Sequence, residues 1–577
     1  MRGRRVSAPK SAATSPIAGS PAERAWFVTA VVLYLGFAWL IGGDAWSRDP
    51  TRFAAVNVTE FERLDDGRFA EKSLLEADHR FVVWLAGRNA WTWLHRPGSM
   101  FDAEPCHPAK RTLARGEPGF TLGLLGIPVW IVSGEPVFTF NFVAWLIFAI
   151  APLAMFWLVW SWTGVPAAAL LAGLVYGFAY TKIGDPIHPY GYDTAWGVLA
   201  LVFARRMIEA GRWRDTLALV VCCGLQIGSS FYPLLAVSML ALPFGLWLVA
   251  GAELDRRRWL QVGLVAASIL LISLLAFWPF LDLQAAGEFE ARLRRHLQWT
   301  DLAPAADGWP GFPGFMLLAL AAVGLLIGKP AKGRDPRWVL LAGSLAALAL
   351  ALSYRLYTAL AGIVPGLGIV RNPVGLALTV QLGLCILAGY GVAGILRRLP
   401  SGRANLVGAG LVAMTGFELL FPGLLGLAPR PEYAAFEMKP RAETIAFYAE
   451  LEAAGNDGPL LEIPMPQRNM RRMTEAVLMS AWHHRKTSAC YNSYLPDELK
   501  RVEQLTADLS KPGALAELRR LGFTTLVVHH DSEGSRGYAR SIEAYARGAG
   551  RRWLRKLATS PDLTAYQIRA PDAANRS

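Results

Sequence analysis

The chain is poor in charge. Asp, Glu, Lys and Arg make up 18% of its 577 residues, against about 25% in soluble proteins. Hydrophobic residues fill the difference at 53%, above the roughly 45–50% of soluble chains, a figure that already counts glycine. A single soluble domain is excluded. Cysteine is scarce and odd in number: Cys106, Cys222, Cys223, Cys385 and Cys490. No C-x-x-C spacing occurs, and Cys222, Cys223 and Cys385 lie inside apolar runs, where a thiol reads as a small packing group. A Cys106–Cys490 disulfide is open but disfavoured. Gly-rich phosphate cradles, P-loops, Rossmann fingerprints and nucleophile elbows are absent, so nucleotide-driven chemistry has no support. No internal repeat stands out, which counts against transporter folds built from duplicated halves.

What is present is apolar length. Runs of about 15 to 25 residues recur from Trp26 to Leu427, enough to cross about 30 Å of hydrocarbon, and the chain carries 21 Trp. The expectation is a polytopic α-helical membrane protein with about eleven spans, near 26–43, 137–162, 165–181, 192–208, 215–230, 231–250, 259–280, 313–328, 338–353, 374–396 and 404–426. A signal peptide is the rival reading of the first run. It is disfavoured because the run is long and is followed by GGDAWSRDP without a small-x-small cleavage site.

The net charge of +13 is interpreted by its placement. The run 119–133 (GFTLGLLGIPVWIVS) competes as a twelfth span, but counting it would put RRMIEAGRWR, DRRRW, KPAKGRDPR and RRLPSGR outside, against the positive-inside rule four times. The segment is therefore expected at the outer interface. Inside segments then hold 19 Lys and Arg against six acids, and the remaining 39 basic and 39 acidic residues balance. The whole excess is an orientation signal, and no nucleic-acid partner is expected.

Three regions follow: a basic, Ser/Pro/Ala-rich tail over 1–25, expected disordered and cytoplasmic; a transmembrane domain over 26–427 with a long first external loop at 44–136; and an extracytoplasmic region over 428–577. A shorter loop, 281–312, also lies outside. The last region mixes strand-like runs (Pro459 to Ile463, Phe523 to Val528, Leu563 to Ile568) with a helix-like run from Pro512 to Leu521, the pattern of a small α/β domain.

In the first loop, LLEADHRFVVWLAGRNAWTWLHRPGSMFDAEPCHP (74–108) places Phe81, Trp84, Leu85, Trp91 and Leu94 near helical spacing. A helix lying along the membrane is expected, with Asp78 at its start. A carboxylate there has an ordinary explanation in the helix dipole.

The order of these parts resembles bacterial membrane glycosyltransferases of the GT-C fold. Matching features are the basic tail, the first span, the Asp-led loop helix, Trp93 to Pro97, FDAEPCHP, the GEP at 116–118, His188, LQIGSSFYP (225–233), VRNP (370–373), MSAWHHRKTSACYNSYLP (479–496) and LRRLGFTTLVVHH (518–530). The resemblance implies a polyprenyl-phosphate sugar as donor, an acceptor that is a glycan, lipid or protein, no cofactor, and a catalytic carboxylate from the first loop. Chemistry needs that carboxylate, because an acceptor hydroxyl must lose its proton as it attacks the anomeric carbon. Asp78 is the first choice. Asp102 and Glu104 compete with it and otherwise bind substrate, while Asp44 and Asp49 sit where they can simply terminate the first span. Glu117 is assigned to acceptor or sugar binding.

The leaving lipid phosphate needs a cation. Arg371, before Asn372-Pro373 at the mouth of a span, can hold phosphate oxygens through two hydrogen bonds, or can be an arginine snorkelling from a helix end. His188, in KIGDPIHPYGYD, is a second phosphate candidate, with an ordinary loop histidine as the alternative; Lys182 and Arg355 are weaker ones. Glu418, inside the last apolar run, requires a partner. His483-His484 and His529-His530 are not expected to bind metal, because adjacent side chains diverge on helix and strand. The sequon at Asn57 carries no weight. The expected activity is transfer of a sugar from a lipid-phosphate carrier at the external face of a bacterial cytoplasmic (inner) membrane. A lipid or glycan transporter or flippase, and a non-catalytic assembly protein on the same fold, are the alternatives.

Overall fold

The computed structural model describes residues 21–57, 61–63, 69–71, 75–183, 188–288, 296–304, 311–331, 333–364, 367–427, 431–465, 470–530 and 533–569. Most of the expected N-terminal tail, 1–20, lies outside the described residues. Residues 21–25 do not belong to a disordered tail, because the first helix, Pro21–Arg48, already begins at Pro21.

A helix stands at each expected span: Pro21–Arg48, Pro136–Thr163, Pro166–Phe178, Ala195–Ala210, Trp213–Ile227, Phe231–Ala250, Arg256–Ala285, Phe315–Ile327, Arg337–Leu352, Ala377–Leu396 and Ser401–Leu420. Length and apolarity single out five among the described residues: Glu23–Arg48, Pro136–Thr163, Phe231–Ala250, Arg256–Ala285 and Pro373–Leu396. Arg337–Leu352 and Tyr354–Ile363, bent by 103°, make a sixth if taken as one broken span. The expected eleven is thus five or six by this measure. Pro166–Phe178 and Phe315–Ile327 have 13 residues each and would reach about 20 Å of the hydrocarbon thickness.

Small residues let these helices approach. A Cβ on Gly324 would lie 1.9 Å from the Leu387 carbonyl oxygen, and one on Gly391 would lie 2.0 Å from that of Leu320. Only glycine permits this backbone contact between Phe315–Ile327 and Ala377–Leu396. Glu418 finds the partner its position requires: its carboxylate accepts from the Phe315 and Met316 amides at 2.6 and 3.0 Å, capping a helix start that has no other acceptor nearby in sequence.

The C-terminal region carries a four-stranded sheet in the order Leu460–Ile463, Thr525–His529, Leu563–Ile568, Leu554–Thr559. The first pair is parallel and the other two are antiparallel. Ala442–Ala453, Met470–His483, Glu498–Thr506, Ala514–Arg520 and Glu533–Arg547 are the helices of this region among the described residues.

This region does not stand apart from the first loop. Phe53–Asn57 pairs antiparallel with Tyr433–Glu437, in the register Ala55 to Ala435, and Asp44 at the end of the first helix accepts from the Ala435 amide at 2.6 Å. Asp49 caps a turn instead, accepting from the Thr51 amide and hydroxyl. Cys106 and Cys490 are bonded in a disulfide, contrary to the expectation. Separation in sequence argues against that pair, but backbone bonds from Cys106 to Ala489 (2.8 Å) and from His107 to Thr487 (2.9 Å) bring the segments side by side.

The loop helix Leu75–His95 also departs from expectation. Phe81, Trp84 and Leu85 are buried as the spacing requires, but so are His79, Arg80, Arg88 and Asn89. It shares one apolar core with Met470–His483 through Val477, Leu478 and Ala481. Two of the polar residues that would have faced water are paired inside: Arg88 donates to Glu104 at 3.1 Å, and Asn89 to the carbonyls of Pro118 and Gly119 at 2.8 and 2.9 Å.

Candidate active site

Where the first loop meets the C-terminal region, a cavity of about 390 Å³ opens at the helix ends. Its walls include Asp78, Glu117, His188 and Arg371, which the sequence places in four separate segments.

Asp78 lies in the first turn of the buried loop helix, so its backbone is held on both sides. The Tyr491 hydroxyl donates to its Oδ1, and His188 Nε2 stands 3.8 Å from its Oδ2. The neighbouring His79 points away from the cavity into the core, its ring edge-on to Phe140 at 5.2 Å between centroids. Burial, helped by the nearby His188, pushes its pKa down to about 3, so His79 stays neutral and adds no charge beside Asp78.

Glu117 sits where the loop turns into Phe120–Ser133. The Ser230 hydroxyl donates to it at 2.6 Å and the Phe231 amide at 3.4 Å. Ser230 is the N-cap of Phe231–Ala250, so the carboxylate occupies the positive end of a helix. Burial is nevertheless the largest influence and raises its pKa, against the pull of these two donors and of Arg371 and His188.

Arg371 precedes the short turn Pro373–Leu376 that leads into Ala377–Leu396. It donates through Nη2 to Ser493 Oγ at 2.6 Å, and its guanidinium lies 5.5 Å from the Tyr494 ring centroid. His188 packs edge-on to Tyr190.

Asp102 and Glu104, the competing carboxylates, do not line this cavity. Lys486 lies 3.1 Å from Asp102 and also donates to its carbonyl. Glu104 is buried against Arg88 at 3.1 Å, and Arg88 in turn holds the Met100 and Ser99 carbonyls. Both acids are ion-paired, Glu104 buried and Asp102 half exposed. Lys182 does not line the cavity and is buried 3.9 Å from the Tyr176 ring centroid, and Arg355 is exposed on Tyr354–Ile363. The adjacent histidines diverge: His483 stacks on Tyr448 and His484 on Trp91, while His529 meets Glu462 and His530 meets Thr564.

Residues that sequence reasoning does not single out complete the walls: Arg115, Tyr232, Asn372, and the run Tyr491 to Tyr494. Arg115 is ion-paired to Glu288. The run Tyr491–Tyr494 is inside the quoted motif 479–496, but its hydroxyls and amide carry no pattern that would distinguish them from ordinary loop residues.

By structure the chain shares the GT-C fold of solved membrane glycosyltransferases. The likeness is to the arabinofuranosyltransferase AftD from Mycobacteria, at 16% identity and a TM-score of 0.53, covering 95% of this chain and 40% of that one. ArnT from Cupriavidus metallidurans matches over 95% of this chain and 98% of its own at 12% identity, but its TM-score of 0.44 is too low to carry an argument. The same holds for ArnT bound to undecaprenyl phosphate, at 14% identity, a TM-score of 0.40, and 96% and 99% coverage. No family model and no curated protein matches the chain by sequence.

Proposed function

We propose that the chain is a glycosyltransferase that moves a sugar from a polyprenyl-phosphate donor to an acceptor hydroxyl at the external face of a bacterial cytoplasmic membrane. The observation that carries this reading is the convergence of Asp78, Glu117, His188 and Arg371 on one cavity. Asp78 takes the proton of the acceptor hydroxyl as its oxygen bonds to the anomeric carbon. The bond from that carbon to the phosphate oxygen breaks, and polyprenyl phosphate leaves. Charge grows on the bridging oxygen, where Arg371 and His188 favour the transition state more than the ground state. Glu117, held by Ser230, binds a hydroxyl of the sugar or acceptor.

Two features support the external orientation. The basic connectors gather at the end of the bundle opposite the cavity, as the positive-inside rule asks, and a disulfide between the first loop and the C-terminal region fits an oxidising compartment. Ser133→Cys should react with an impermeant maleimide added to intact cells, and Ser401→Cys should not; labelling of Ser401→Cys would reverse the orientation.

The reaction is tested with purified protein in micelles and polyprenyl-phosphate donors labelled in the sugar. An arabinofuranosyl donor comes first, after the name of the structural neighbour. Sugar transfer and release of polyprenyl phosphate are expected. Donor translocation in vesicles without any transfer would instead identify a flippase.

A further inference from the structure

From Cys490 to Tyr494 the C-terminal region crosses the cavity as a strap, and each of its residues makes a named contact with the other side. Cys490 is bonded to Cys106. Tyr491 donates to Asp78 while its ring packs on Phe81, centroids 5.7 Å apart. Asn492 donates to the Thr112 carbonyl at 3.0 Å. Ser493 accepts from Arg371, and the Tyr494 amide donates to the Arg115 carbonyl at 3.3 Å. The strap therefore touches the carboxylate and the arginine through residues two apart.

We infer that Tyr491 is a positioning residue for the transfer reaction: its hydroxyl holds one oxygen of Asp78 and leaves the other, Oδ2, for the acceptor proton. The inference rests on the reading of Asp78 as the base. A carboxylate turns easily about its last bond, and its two oxygens are equivalent until something holds one of them. Tyr491 makes them unequal. The backbone of Asp78 is fixed in a buried helix, so this hydroxyl governs the remaining freedom of the group. Because Ser493 holds Arg371 from the same strap, the spacing between base and phosphate cation is set by the three residues Tyr491 to Ser493 of the extracytoplasmic chain.

The other groups facing Asp78 are His188 from the loop before Ala195–Ala210 and Met470 from the C-terminal region; across the cavity stand Glu117, Arg115 and Arg371, and on its own helix is His79, already neutral. None of these changes in Tyr491→Phe, which also keeps the ring against Phe81.

The test uses the full chain in micelles and two readouts. The first needs no substrate: the rate of carbodiimide labelling of Asp78 at one fixed pH, read by peptide mass spectrometry. Tyr491→Phe should speed the labelling several-fold by freeing Oδ1, and Ser493→Ala should leave it unchanged. The second is transfer: in Tyr491→Phe kcat should fall about tenfold with the donor KM unchanged, the signature of lost orientation. An unchanged labelling rate in Tyr491→Phe overturns the inference, and so does an equal change in Ser493→Ala, which would mean general loosening of the strap. If the labelling changes as expected but no variant or wild type transfers sugar, the glycosyltransferase reading fails and the hold of Tyr491 on Asp78 stands.

Discussion

Several arginines at the two ends of the helical bundle meet different partners. At the end with the basic connectors, guanidinium groups donate to backbone carbonyls: Arg337 to Gly324 and Leu325 at 2.7 and 3.0 Å, Arg397 to Lys329 at 2.7 Å and also to Thr163, Arg334 to Trp247 at 2.7 Å. Those carbonyls belong to the last turns of helices or the connectors after them, where acceptors would otherwise go unsatisfied. At the cavity end, Arg371 bonds the Ser493 hydroxyl, with a longer contact at 3.5 Å to its carbonyl, while Glu117 accepts from another serine and Asp78 from a tyrosine. A backbone carbonyl at a helix terminus cannot leave; a hydroxyl can rotate and give way to a substrate oxygen. The difference separates cations that complete the fold from cations that remain exchangeable.

The strongest way to break that comparison is Asp78→Asn, which keeps shape and removes basicity. Sugar transfer should fall by about 10²–10⁴-fold, with expression and donor binding nearly intact. Transfer at the wild-type rate would show that the cavity carboxylate is as structural as the connector arginines. Arg371 comes next. Arg371→Ala should cost about 2–4 kcal/mol of transition-state stabilisation, read from kcat/KM with a lipid-linked donor, and Arg371→Lys should keep part of it by preserving charge without the two-bond grip. Equal, near-normal activity in both would make Arg371 a helix-end anchor like Arg337.

Glu117 sharpens the comparison through pH. Its folded pKa is raised by burial above the ordinary 4.5, so it contributes stability that is complete below pH 4.5 and is lost as pH rises through the raised value. Glu117→Gln stays neutral, so its Tm should gain on wild type as pH climbs through that window. A constant difference between the two from pH 4 to pH 8 would remove Glu117 from the exchangeable set. The smallest effect belongs to the far end: Arg397→Ala should leave transfer unchanged and lower stability by about 0.3–1 kcal/mol, measured by thermal unfolding in micelles.

How far the sequence revealed these ends depends on the kind of signal each carries. The basic connectors are short, charged and bounded by apolar runs, so they are legible at once. Asp78, Glu117 and His188 stand out through the family resemblance, and Arg371 as a cation at the mouth of a span. Asp102 and Glu104 stand out equally, and nothing local separates them from Asp78; Lys486 and Arg88, which occupy them, do. Tyr491 meets Asp78 across 413 residues, and a neutral hydroxyl leaves no periodicity to read. The strand Leu554–Thr559 is hidden because Arg555 and Lys556 are exposed on it. The loop helix reads as a surface helix because a polar residue in sequence looks solvated until its buried partner is known.

The strand pairing of Phe53–Asn57 with Tyr433–Glu437 and the bond from Cys106 to Cys490 also carry a consequence for biogenesis. A ribosome delivers the first loop to the membrane long before it makes the strap, 384 residues separating the two cysteines. Until then the loop helix lacks its Met470–His483 neighbour and the cavity lacks a wall. The inserted helical bundle therefore stays open on one side until the last quarter of the chain has been made and closes the cavity.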